Sequence, residues 1–444
     1  MLETFVRSLT GTMLSVNTRL QRDLTRKERV TKRFSIRETA QLLGLDSVYL
    51  TRAITRLADE EPGFRGGERV GRERLFGPDE LMELRAILHT NRHSKRPYLH
   101  WRQPGEPLRV VTFGAQKGGT GKSLSAAHFA QYVSMNYGLR VGVIDCDPQA
   151  TVSLYFADNE LPLFSDQVDT AAEFMGISEP TQDDFFRAPA NELDAMWRST
   201  PWPGIRLLPG GASIQSADIF LFLISQKQRR PIYFGLKDAL SRWDAKYGPK
   251  TRSADLRKAD GTFDKDVFRR AMTETLDLIV IDQQPALTLM QLNGLIAADS
   301  VIIPQTVKGF DLSTLTTYAS SILSALEELR IQFPERADEI GLGNHVVLPT
   351  IVSHDKELEQ IMELYGANEE LFAQVYYPRS DAISNAADEY KSIYEYNAPR
   401  SRRASAKKFT EDANIVNDFL VTTVLPELPS RGYAQDYIEK WWAA

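Results

Sequence analysis

The sequence predicts an α/β fold in which helices flank a doubly wound, mostly parallel sheet, with a small, mainly helical domain in front of it. Short apolar runs without polar alternation recur between helical stretches, which is typical of parallel strands covered on both faces. Before the first of these runs, the polar stretch Asn91–Pro107 contains three prolines and indicates a linker. The apolar runs are Leu108–Phe113, Leu139–Asp145, Gly204–Gly210, Leu276–Asp282, Asp299–Pro304 and Asn344–Val352.

The chain of 444 residues is long enough for more than one domain. We predict a polar helical arm over residues 1–30, a front domain over 31–95, a linker over 96–107 and a large sheet-containing domain over 108–444. Within the large domain, the charged stretch Ala245–Lys265 is predicted to be an insertion.

The composition, with 42% hydrophobic and 25% charged residues, is that of a soluble globular protein. No apolar run approaches the length of a membrane span, and the early acidic residue Glu3 makes the N-terminus a poor secretory signal. The single cysteine, Cys146, excludes an intramolecular disulfide and any metal site that needs two thiolates from one chain. These observations predict a cytoplasmic protein.

Charge is distributed unevenly along the chain. Residues 1–110 contain 21 basic and 14 acidic residues, a net charge of +7, whereas the remainder contains 32 basic and 45 acidic residues, a net charge of −13. A basic front domain on an acidic body indicates that one end binds a polyanion. A solvated basic surface without a ligand is the alternative.

The segment Lys117–Ser123 has the composition of a phosphate-binding loop. Its glycines allow backbone N–H groups to converge on an anion, and it lies between a predicted strand and a predicted helix. In this interpretation Lys122 contacts the β- and γ-phosphates of ATP or ADP, and the Ser123 hydroxyl binds Mg²⁺. Gln116 stands where the generic pattern has its first glycine, and Lys117 is an additional lysine. The alternative is a chance glycine-rich turn. The predicted nucleotide-binding residues are Lys117, Gly118, Gly119, Thr120, Gly121, Lys122 and Ser123.

The run Lys-Gly-Gly-Thr-Gly-Lys-Ser resembles the deviant Walker A box of the ParA/MinD group of ATPases. The resemblance implies that Lys117 crosses a dimer interface to the phosphate of the partner subunit. The next family motif, an apolar strand ending in Asp-x-Asp-Pro-Gln, matches Asp145–Gln149. The resemblance therefore implies that Asp147 is required for hydrolysis and helps to position the attacking water. Lys117, Lys122 and Asp147 are thus the predicted catalytic residues. Outside this context, a turn or helix-capping aspartate before Pro148 would explain Asp147 equally well.

Asp282 ends a buried apolar strand, which is the Walker B position of the same group. The resemblance implies that Asp282, together with Ser123, holds the Mg²⁺ ion. Some residues depart from the family pattern. With these departures nucleotide binding is still predicted, but the rate of hydrolysis is not. These departures are Ala115, Leu124 and the pair Gln283-Gln284, which precedes a single proline.

Other members of the group need features that this sequence does not supply. The nitrogenase iron protein type holds a shared cluster with two cysteines per subunit, and here Cys146 is alone. The membrane-cycling MinD type uses a basic amphipathic helix at its C-terminus, whereas this chain ends in the hardly basic segment RGYAQDYIEKWWAA. We therefore expect no membrane binding.

The front domain is predicted to be a winged helix-turn-helix. Such units need a small residue in the first helix, a glycine at the turn and an apolar residue in the second helix, and Ala40, Gly44 and Leu50 supply these. The Gly63–Gly77 stretch, rich in glycine and arginine, is predicted to be the wing. A plain helical hairpin is the alternative. The predicted DNA contacts are Ser47, Tyr49, Thr51, Arg52, Thr55 and Arg56 on the second helix, with Arg72 and Arg74 on the wing.

A winged helix-turn-helix ahead of a deviant Walker ATPase resembles the larger, type Ia ParA proteins, and more narrowly the RepA ATPases of repABC replicons. The complete fold prediction is therefore a P-loop sheet domain preceded by a winged helix-turn-helix domain. The resemblance implies a homodimer formed on ATP that coats nucleoid DNA. It implies further that a ParB- or RepB-like centromere-binding protein stimulates hydrolysis, and that the protein segregates DNA and represses its own operon.

Two other functions stay open from the sequence. One is a transcriptional repressor whose conformation is switched by nucleotide binding, with little hydrolysis. The other is a cell-division or polar-positioning ATPase of the same group. Sequence-independent DNA contacts are predicted in a basic tail, which could equally be a solvated helix face. The tail residues are Arg400, Arg402, Arg403, Lys407 and Lys408.

Overall fold

A computed structural model describes the chain from residue 32 to residue 442 with short gaps, together with residue 4. The predicted helical arm over 1–30 lies outside the described residues except for residue 4. The predicted fold class is confirmed: a mostly parallel sheet flanked by helices follows a small region of helices and antiparallel strands. The described ranges are 32–94, 96–158, 161, 168–177, 189–228, 231–308, 311–341, 343–353 and 355–442.

Two helices joined by a short turn form the front of the molecule. Helix α1 (Ile36–Leu43) begins at Ser35, whose hydroxyl accepts a hydrogen bond from the N–H of Glu38 while the Glu38 carboxylate caps the N–H of Ser35. The helix ends at Gly44, whose φ of 62° lies in the left-handed region that favours glycine. Helix α2 (Ser47–Glu60) follows directly, so the glycine turn sets the crossing of the two helices.

A β-hairpin and a third helix complete the front of the molecule. Strand β2 (Glu68–Val70) pairs antiparallel with β3 (Glu73–Phe76), and β3 also pairs with the short strand β1 (Phe34–Ser35). The hairpin occupies the stretch predicted to be the wing. Helix α3 (Pro78–Thr90) follows and begins with the proline that suits a first helical turn.

Eight strands form the large sheet in the described part of the chain. They are β4 (Arg109–Phe113), β5 (Val141–Cys146), β6 (Arg198–Ser199), β7 (Ile205–Leu208), β8 (Leu278–Gln283), β9 (Ser300–Gln305), β10 (His345–Val352) and β11 (Tyr377–Pro378). Their order across the sheet is β11-β10-β9-β4-β8-β5-β7-β6, and only β6 pairs antiparallel with its neighbour. Each of the predicted apolar runs overlaps one of these strands, and β5, β8 and β9 each extend one residue beyond the run.

Helices cover both faces of the large sheet. Successive strand residues contribute to opposite cores, as Val110 and Val111 do, so the strands have no polar face. The core that includes Val111 also contains the apolar residues of α1, α2 and α3, so the front of the molecule and the sheet share one core. The helices are α4 (Lys122–Tyr137), α5 (Thr151–Phe156), α6 (Ala171–Phe174), α7 (Ala190–Met196), α8 (Ala212–Gln228), α9 (Gly235–Tyr247), α10 (Lys265–Glu274), α11 (Leu289–Ala297), α12 (Asp311–Gln332), α13 (Asp355–Ala367), α14 (Asp381–Ala387), α15 (Arg403–Val424) and α16 (Tyr433–Trp441).

The stretch with the composition of a linker is packed against the body of the molecule. Trp101 is buried, stacks on Phe268 with ring centroids 6.0 Å apart, and donates a hydrogen bond to the carbonyl of Gly138 at 2.7 Å. Arg102 forms an ion pair with Asp244 at 2.6 Å. These contacts fix the chain between the front helices and the sheet.

The charged stretch Ala245–Lys265 packs against the front helices. Arg257 in this stretch forms an ion pair with Glu61, which follows α2. The same guanidinium donates hydrogen bonds to the Thr90 hydroxyl at 2.9 Å and to the Ile87 carbonyl at 3.1 Å, both in α3. The stretch therefore braces the C-terminal ends of two front helices.

Candidate functional site

The loop between β4 and α4 carries the predicted phosphate-binding residues at the carboxyl edge of the sheet. Gly119 and Gly121 have φ values of 74° and 81°, a left-handed conformation that places the loop backbone directly before the first turn of α4. Thr350, at the end of β10, donates a hydrogen bond from its hydroxyl to the Thr120 carbonyl at 2.8 Å. The strand, the glycine loop and the start of α4 thus have the order of elements that binds anions through backbone N–H groups.

Asp282 lies at the end of β8, in register with Phe113 of β4 and Asp145 of β5. Both of its carboxylate oxygens are buried without a hydrogen-bond partner among the described residues. Burial and the neighbouring Asp145 raise the pKa of Asp282 well above its usual range, against the opposing effects of Lys122 and the Ser123 hydroxyl. A buried carboxyl of this kind is either protonated or neutralised by a cation, so it can serve as a cation ligand.

The oxygen donors at this position fit Mg²⁺. The available groups are the Asp282 carboxylate and the Ser123 hydroxyl, and Mg²⁺ prefers oxygen ligands. The described residues contain no group of three or more His, Cys, Asp or Glu side chains that could hold a metal ion alone.

Asp145 is a central residue of the site that we did not single out from the sequence. Its carboxylate accepts hydrogen bonds from the Ser153 hydroxyl at 2.6 Å, from the Ser153 N–H at 3.0 Å and from the Asp147 N–H at 3.0 Å. Burial raises the pKa of Asp145 to about 7, although these hydrogen bonds act in the opposite direction. A Cβ on Gly210 would lie 2.8 Å from the Asp145 carboxyl carbon, so a larger residue there would displace it. The sequence feature that could have identified Asp145 is its position as the first aspartate of the Asp-x-Asp motif.

Asp147 lies in the turn between β5 and α5, next to Asp145. Its carboxylate accepts a hydrogen bond from the N–H of Gln149 at 2.9 Å, and its carbonyl accepts one from the N–H of Ala150 at 2.9 Å. The turn role considered from the sequence is therefore visible. Asp147 also lies close enough to raise the pKa of Asp282, so its charge reaches the site.

Lys117 forms an ion pair with Asp311, the first residue of α12. Asp311 also accepts a hydrogen bond from the Thr306 hydroxyl. Burial alone would raise the pKa of Asp311, but the hydrogen bonds from Lys117 and Thr306 outweigh it, and the pKa is lowered. The Lys117 side chain stays 45% exposed, so it is held in place without being enclosed. The separation of 194 residues hid this partner from sequence analysis.

The residues that depart from the family pattern have structural partners. The side-chain amide of Gln283 donates a hydrogen bond to the Gln291 carbonyl at 3.1 Å. Gly294 leaves room for the Gln283 side chain, because a Cβ on residue 294 would lie 2.1 Å from the Gln283 amide nitrogen. Gln284 donates to the Thr288 hydroxyl at 2.8 Å. The segment after β8 is thus tied to α11. The other two departures, Ala115 and Leu124, contribute apolar surface: Ala115 is buried and Leu124 packs on the core.

Helix α8 and the segment after β8 carry exposed apolar side chains. Ile219 and Phe222 of α8 are 62% and 56% exposed, and Leu287 in the segment after β8 is 38% exposed. Asp218 connects the two elements, because it accepts a hydrogen bond from the N–H of Met290 at 2.8 Å.

The eight predicted DNA contacts of the front lie on α2 and the hairpin, and four of them, Thr51, Thr55, Arg72 and Arg74, line one groove. Most of them are exposed, and a groove of about 680 Å³ separates α2 from the hairpin. Arg37 and Arg69 also line this groove and were missed from the sequence. Arg69 lies directly opposite Arg74 in the hairpin, a pairing that only the strand register reveals. The exposed members are Tyr49, Thr51, Arg52, Thr55 and Arg72; Ser47, Arg56 and Arg74 are half-buried.

The predicted tail contacts begin α15 and the short 3₁₀ turn before it. All are exposed, and two have polar partners: Arg402 donates to Asn385 at 2.6 Å, and Lys407 lies 3.8 Å from Glu411. The surface is basic and solvated, which fits either expectation for the tail. These residues are Arg400, Arg402, Arg403, Lys407 and Lys408.

A search for membrane-spanning segments gave none among the helices of the described residues.

Comparison with known proteins identifies the family. A model of the CobQ/CobB/MinD/ParA nucleotide-binding domain matches residues 111–393. The putative replication protein A of Rhizobium rhizogenes is 23% identical over 405 residues, which cover 89% of this chain and 88% of that protein. Protein SopA of Escherichia coli K12 is 22% identical over 309 residues, covering 68% of this chain and 66% of SopA.

A solved structure described as a partition protein has the same fold. It superposes with a TM-score of 0.55 and 18% identity over 93% of this chain and 98% of that one. The chain belongs to the CobQ/CobB/MinD/ParA family of nucleotide-binding domains, as a ParA-type protein similar to replication protein A.

Proposed function

We propose that this protein is a DNA-partition ATPase, which binds DNA and hydrolyses ATP during plasmid or chromosome segregation. The observation that carries the proposal is the Asp282 carboxylate, buried without a partner among the described residues beside Lys122 and Ser123. A proton on Asp282 balances its charge in the absence of a cation, and a divalent cation bound with a nucleotide would replace that proton. The basic groove on the front of the same chain supplies a place for DNA.

The residues around the phosphate loop would have different roles in binding ATP and Mg²⁺. The loop N–H groups and the Lys122 ammonium neutralise phosphate charge, and Ser123 and Asp282 would hold Mg²⁺. Mg²⁺, when bound, supplies charge stabilisation on the phosphate oxygens. Asp147 would orient the attacking water, while Asp145 fixes the turn through the Asp147 N–H.

ATP-dependent dimerisation would require Lys117 to leave Asp311. In the single chain the ion pair neutralises both groups, and the exposed stem of Lys117 allows it to turn outward. A γ-phosphate of the partner subunit offers more negative charge than one carboxylate. Ile219, Phe222 and Leu287 would be covered in the homodimer.

Two DNA-binding activities follow from two basic surfaces. Helix α2 and the hairpin would read an operator, which allows repression of the protein's own operon. The tail residues around Arg403 would bind nucleoid DNA without sequence preference, and a ParB- or RepB-like centromere-binding protein would stimulate hydrolysis. In this view the protein is cytoplasmic and nucleoid-associated.

The second candidate is a transcriptional repressor whose conformation is switched by nucleotide binding, without significant ATP hydrolysis. The hydrogen bonds of Gln283 and Gln284 favour it, because they tie down the segment after β8. Steady-state hydrolysis in the presence of DNA and the centromere-binding protein separates the two functions.

Replacing Asp282 tests the cation site. Asp282→Asn should weaken ATP binding in Mg²⁺ by roughly 10–100-fold, because the neutral amide no longer supports the ion. Affinity measured in EDTA should change little. Asp299→Asn is the control, because Asp299 is also a carboxylate of the sheet but is exposed and lies before β9, at the opposite edge, where it accepts a hydrogen bond from the N–H of Val110. Equal losses in Mg²⁺ and EDTA would contradict the assignment.

Two substitutions of Asp147 separate catalysis from turn formation. Asparagine can still accept the hydrogen bond from Gln149 but has no charge, whereas alanine loses both. If Asp147 acts on water, Asp147→Asn and Asp147→Ala should both bind ATP and lose steady-state hydrolysis. Normal turnover in Asp147→Asn would show that the residue only forms the turn.

Lys117→Ala should bind ATP but fail to form ATP-dependent dimers, because the cross-subunit contact is lost. Asp311→Asn should still dimerise, since it removes only the partner that holds Lys117 within one chain. Light scattering with ATP and with ADP measures both variants. A Lys117→Ala protein that dimerises normally would refute the proposed exchange.

Arg52→Ala should weaken operator binding by about 1–3 kcal/mol if the arginine reads a base, with sequence-independent binding retained. Arg403→Ala should weaken binding to the operator and to the scrambled duplex by the same factor, because a phosphate contact contributes equally to every sequence. Titrations of an operator and a scrambled duplex at two salt concentrations measure both effects. The recognition role of α2 fails if Arg52→Ala reduces both titrations equally.

A further inference from the structure

We propose that Arg85 couples the nucleotide site to the DNA-facing surface by joining the C-terminal ends of α1 and α4. The inference rests on the proposed function and concerns its regulation. Arg85 lies in α3 and is fully buried. Its guanidinium donates hydrogen bonds only to backbone carbonyls: Tyr98 at 2.9 Å, Asn136 at 2.9 Å, Leu42 at 3.2 Å and Met135.

Two helix ends meet at this side chain. Leu42 belongs to the last turn of α1, and Met135 and Asn136 belong to the last turn of α4. The final carbonyls of a helix have no partner within the helix and carry partial negative charge, so a cation there is stabilising. Arg431 adds a second guanidinium on the Asn136 carbonyl, with its centre 4.6 Å from the Tyr137 ring.

The junction is closely packed. Gly138, which ends α4 with a φ of 73°, leaves no room for a side chain, because a Cβ there would lie 2.5 Å from Cδ of Arg85. A close-packed interior transmits displacement rather than absorbing it. A small movement of the end of α4 would therefore move Arg85 and the end of α1.

Helix α4 is suited to carry such a movement. Its residues are buried along almost the whole length of Lys122–Tyr137, so the helix is constrained to move as one body. Its N-terminal end is the phosphate loop, about 24 Å from its C-terminal end at ~1.5 Å per residue. Nucleotide binding at one end therefore acts on Arg85 at the other.

The end of α1 controls the position of α2. The turn at Gly44 connects the two helices directly, and Arg96 donates hydrogen bonds to the carbonyls of Leu43 at 3.3 Å and of Gly44. Helix α2 carries Arg52 and the other proposed base contacts. A shift at Leu42 thus changes the angle at which α2 meets DNA.

Arg257 provides a matched comparison. Like Arg85 it is an arginine whose guanidinium donates a hydrogen bond to a backbone carbonyl in the last turn of a helix, here Ile87 of α3, and it also holds Glu61 after α2. Unlike Arg85 it makes no hydrogen bond to α4 among the described residues. It anchors the front helices without touching the helix that leads to the phosphates.

The experiment measures operator affinity with ATP, with ADP and without nucleotide. The duplex is one selected from a random pool by the wild-type protein. Coupling free energies of this kind change affinity about fivefold or more, so the wild-type affinities should differ by at least that factor between nucleotide states. Arg85→Gln should bring the ratio close to one while nucleotide affinity is kept. Arg257→Gln should lower stability but keep the wild-type ratio.

Several outcomes would overturn the coupling. It is wrong if Arg85→Gln keeps the wild-type ratio, if Arg257→Gln removes it equally, or if the wild-type ratio is already one. In each of these cases operator binding itself stands. Failure to enrich any duplex would instead refute the proposed operator binding.

A measurement on the wild-type protein covers the case in which Arg85→Gln does not fold. Hydrogen exchange is compared with and without ATP over residues 36–43 of α1 and over residues 253–263, which contain Arg257. Coupling through Arg85 predicts that ATP slows exchange in 36–43 and leaves 253–263 unchanged. Unchanged exchange in 36–43, or an equal effect in both segments, would refute it.

Discussion

Backbone polarity at the two ends of one buried helix, α4, organises most of this protein. A helix leaves N–H groups unpaired at its start and carbonyls unpaired at its end, and a buried helix cannot satisfy them with bulk water. At the start, the glycine loop leaves the N–H groups open toward the carboxyl edge of the sheet. At the end, Arg85 and Arg431 supply donors to the final carbonyls. The nucleotide site and the attachment of the front helices thus both supply partners for the unpaired backbone groups at the ends of α4.

Charge at the carboxyl edge of the sheet follows a similar logic. Asp145 and Asp282 lie side by side at the ends of neighbouring parallel strands, both fully buried. Asp145 accepts hydrogen bonds from Ser153 and from the turn that holds Asp147. For Asp282, the Lys122 ammonium and the Ser123 hydroxyl oppose the effects of burial and of Asp145 on its pKa. One carboxylate therefore shapes the loop, and the other is left for a cation. This division explains why two similar residues have different functions.

Sequence analysis predicted the features whose residues are neighbours in the chain. Strands such as Leu276–Asp282 were identifiable because both faces are buried, and the loop from Lys117 to Ser123 was identifiable because its glycines and lysines are contiguous. The pairing of Lys117 with Asp311 and the contacts of Arg85 were not predictable, since they join residues far apart in the chain. An arginine in an amphipathic helix also normally faces solvent, so its burial gives no sequence signal.

The facing arginines of the hairpin have a consequence for the protein without DNA. Arg69 and Arg74 are direct cross-strand neighbours, and like charges in that position destabilise a strand pair by about 0.2–1 kcal/mol. Dissolved salt screens this repulsion, so the unliganded hairpin becomes firmer as ionic strength rises. DNA association responds in the opposite sense, because counterion release favours it at low ionic strength. The hairpin is therefore loosest under the ionic conditions in which a polyanion binds it best, and the polyanion itself removes the repulsion.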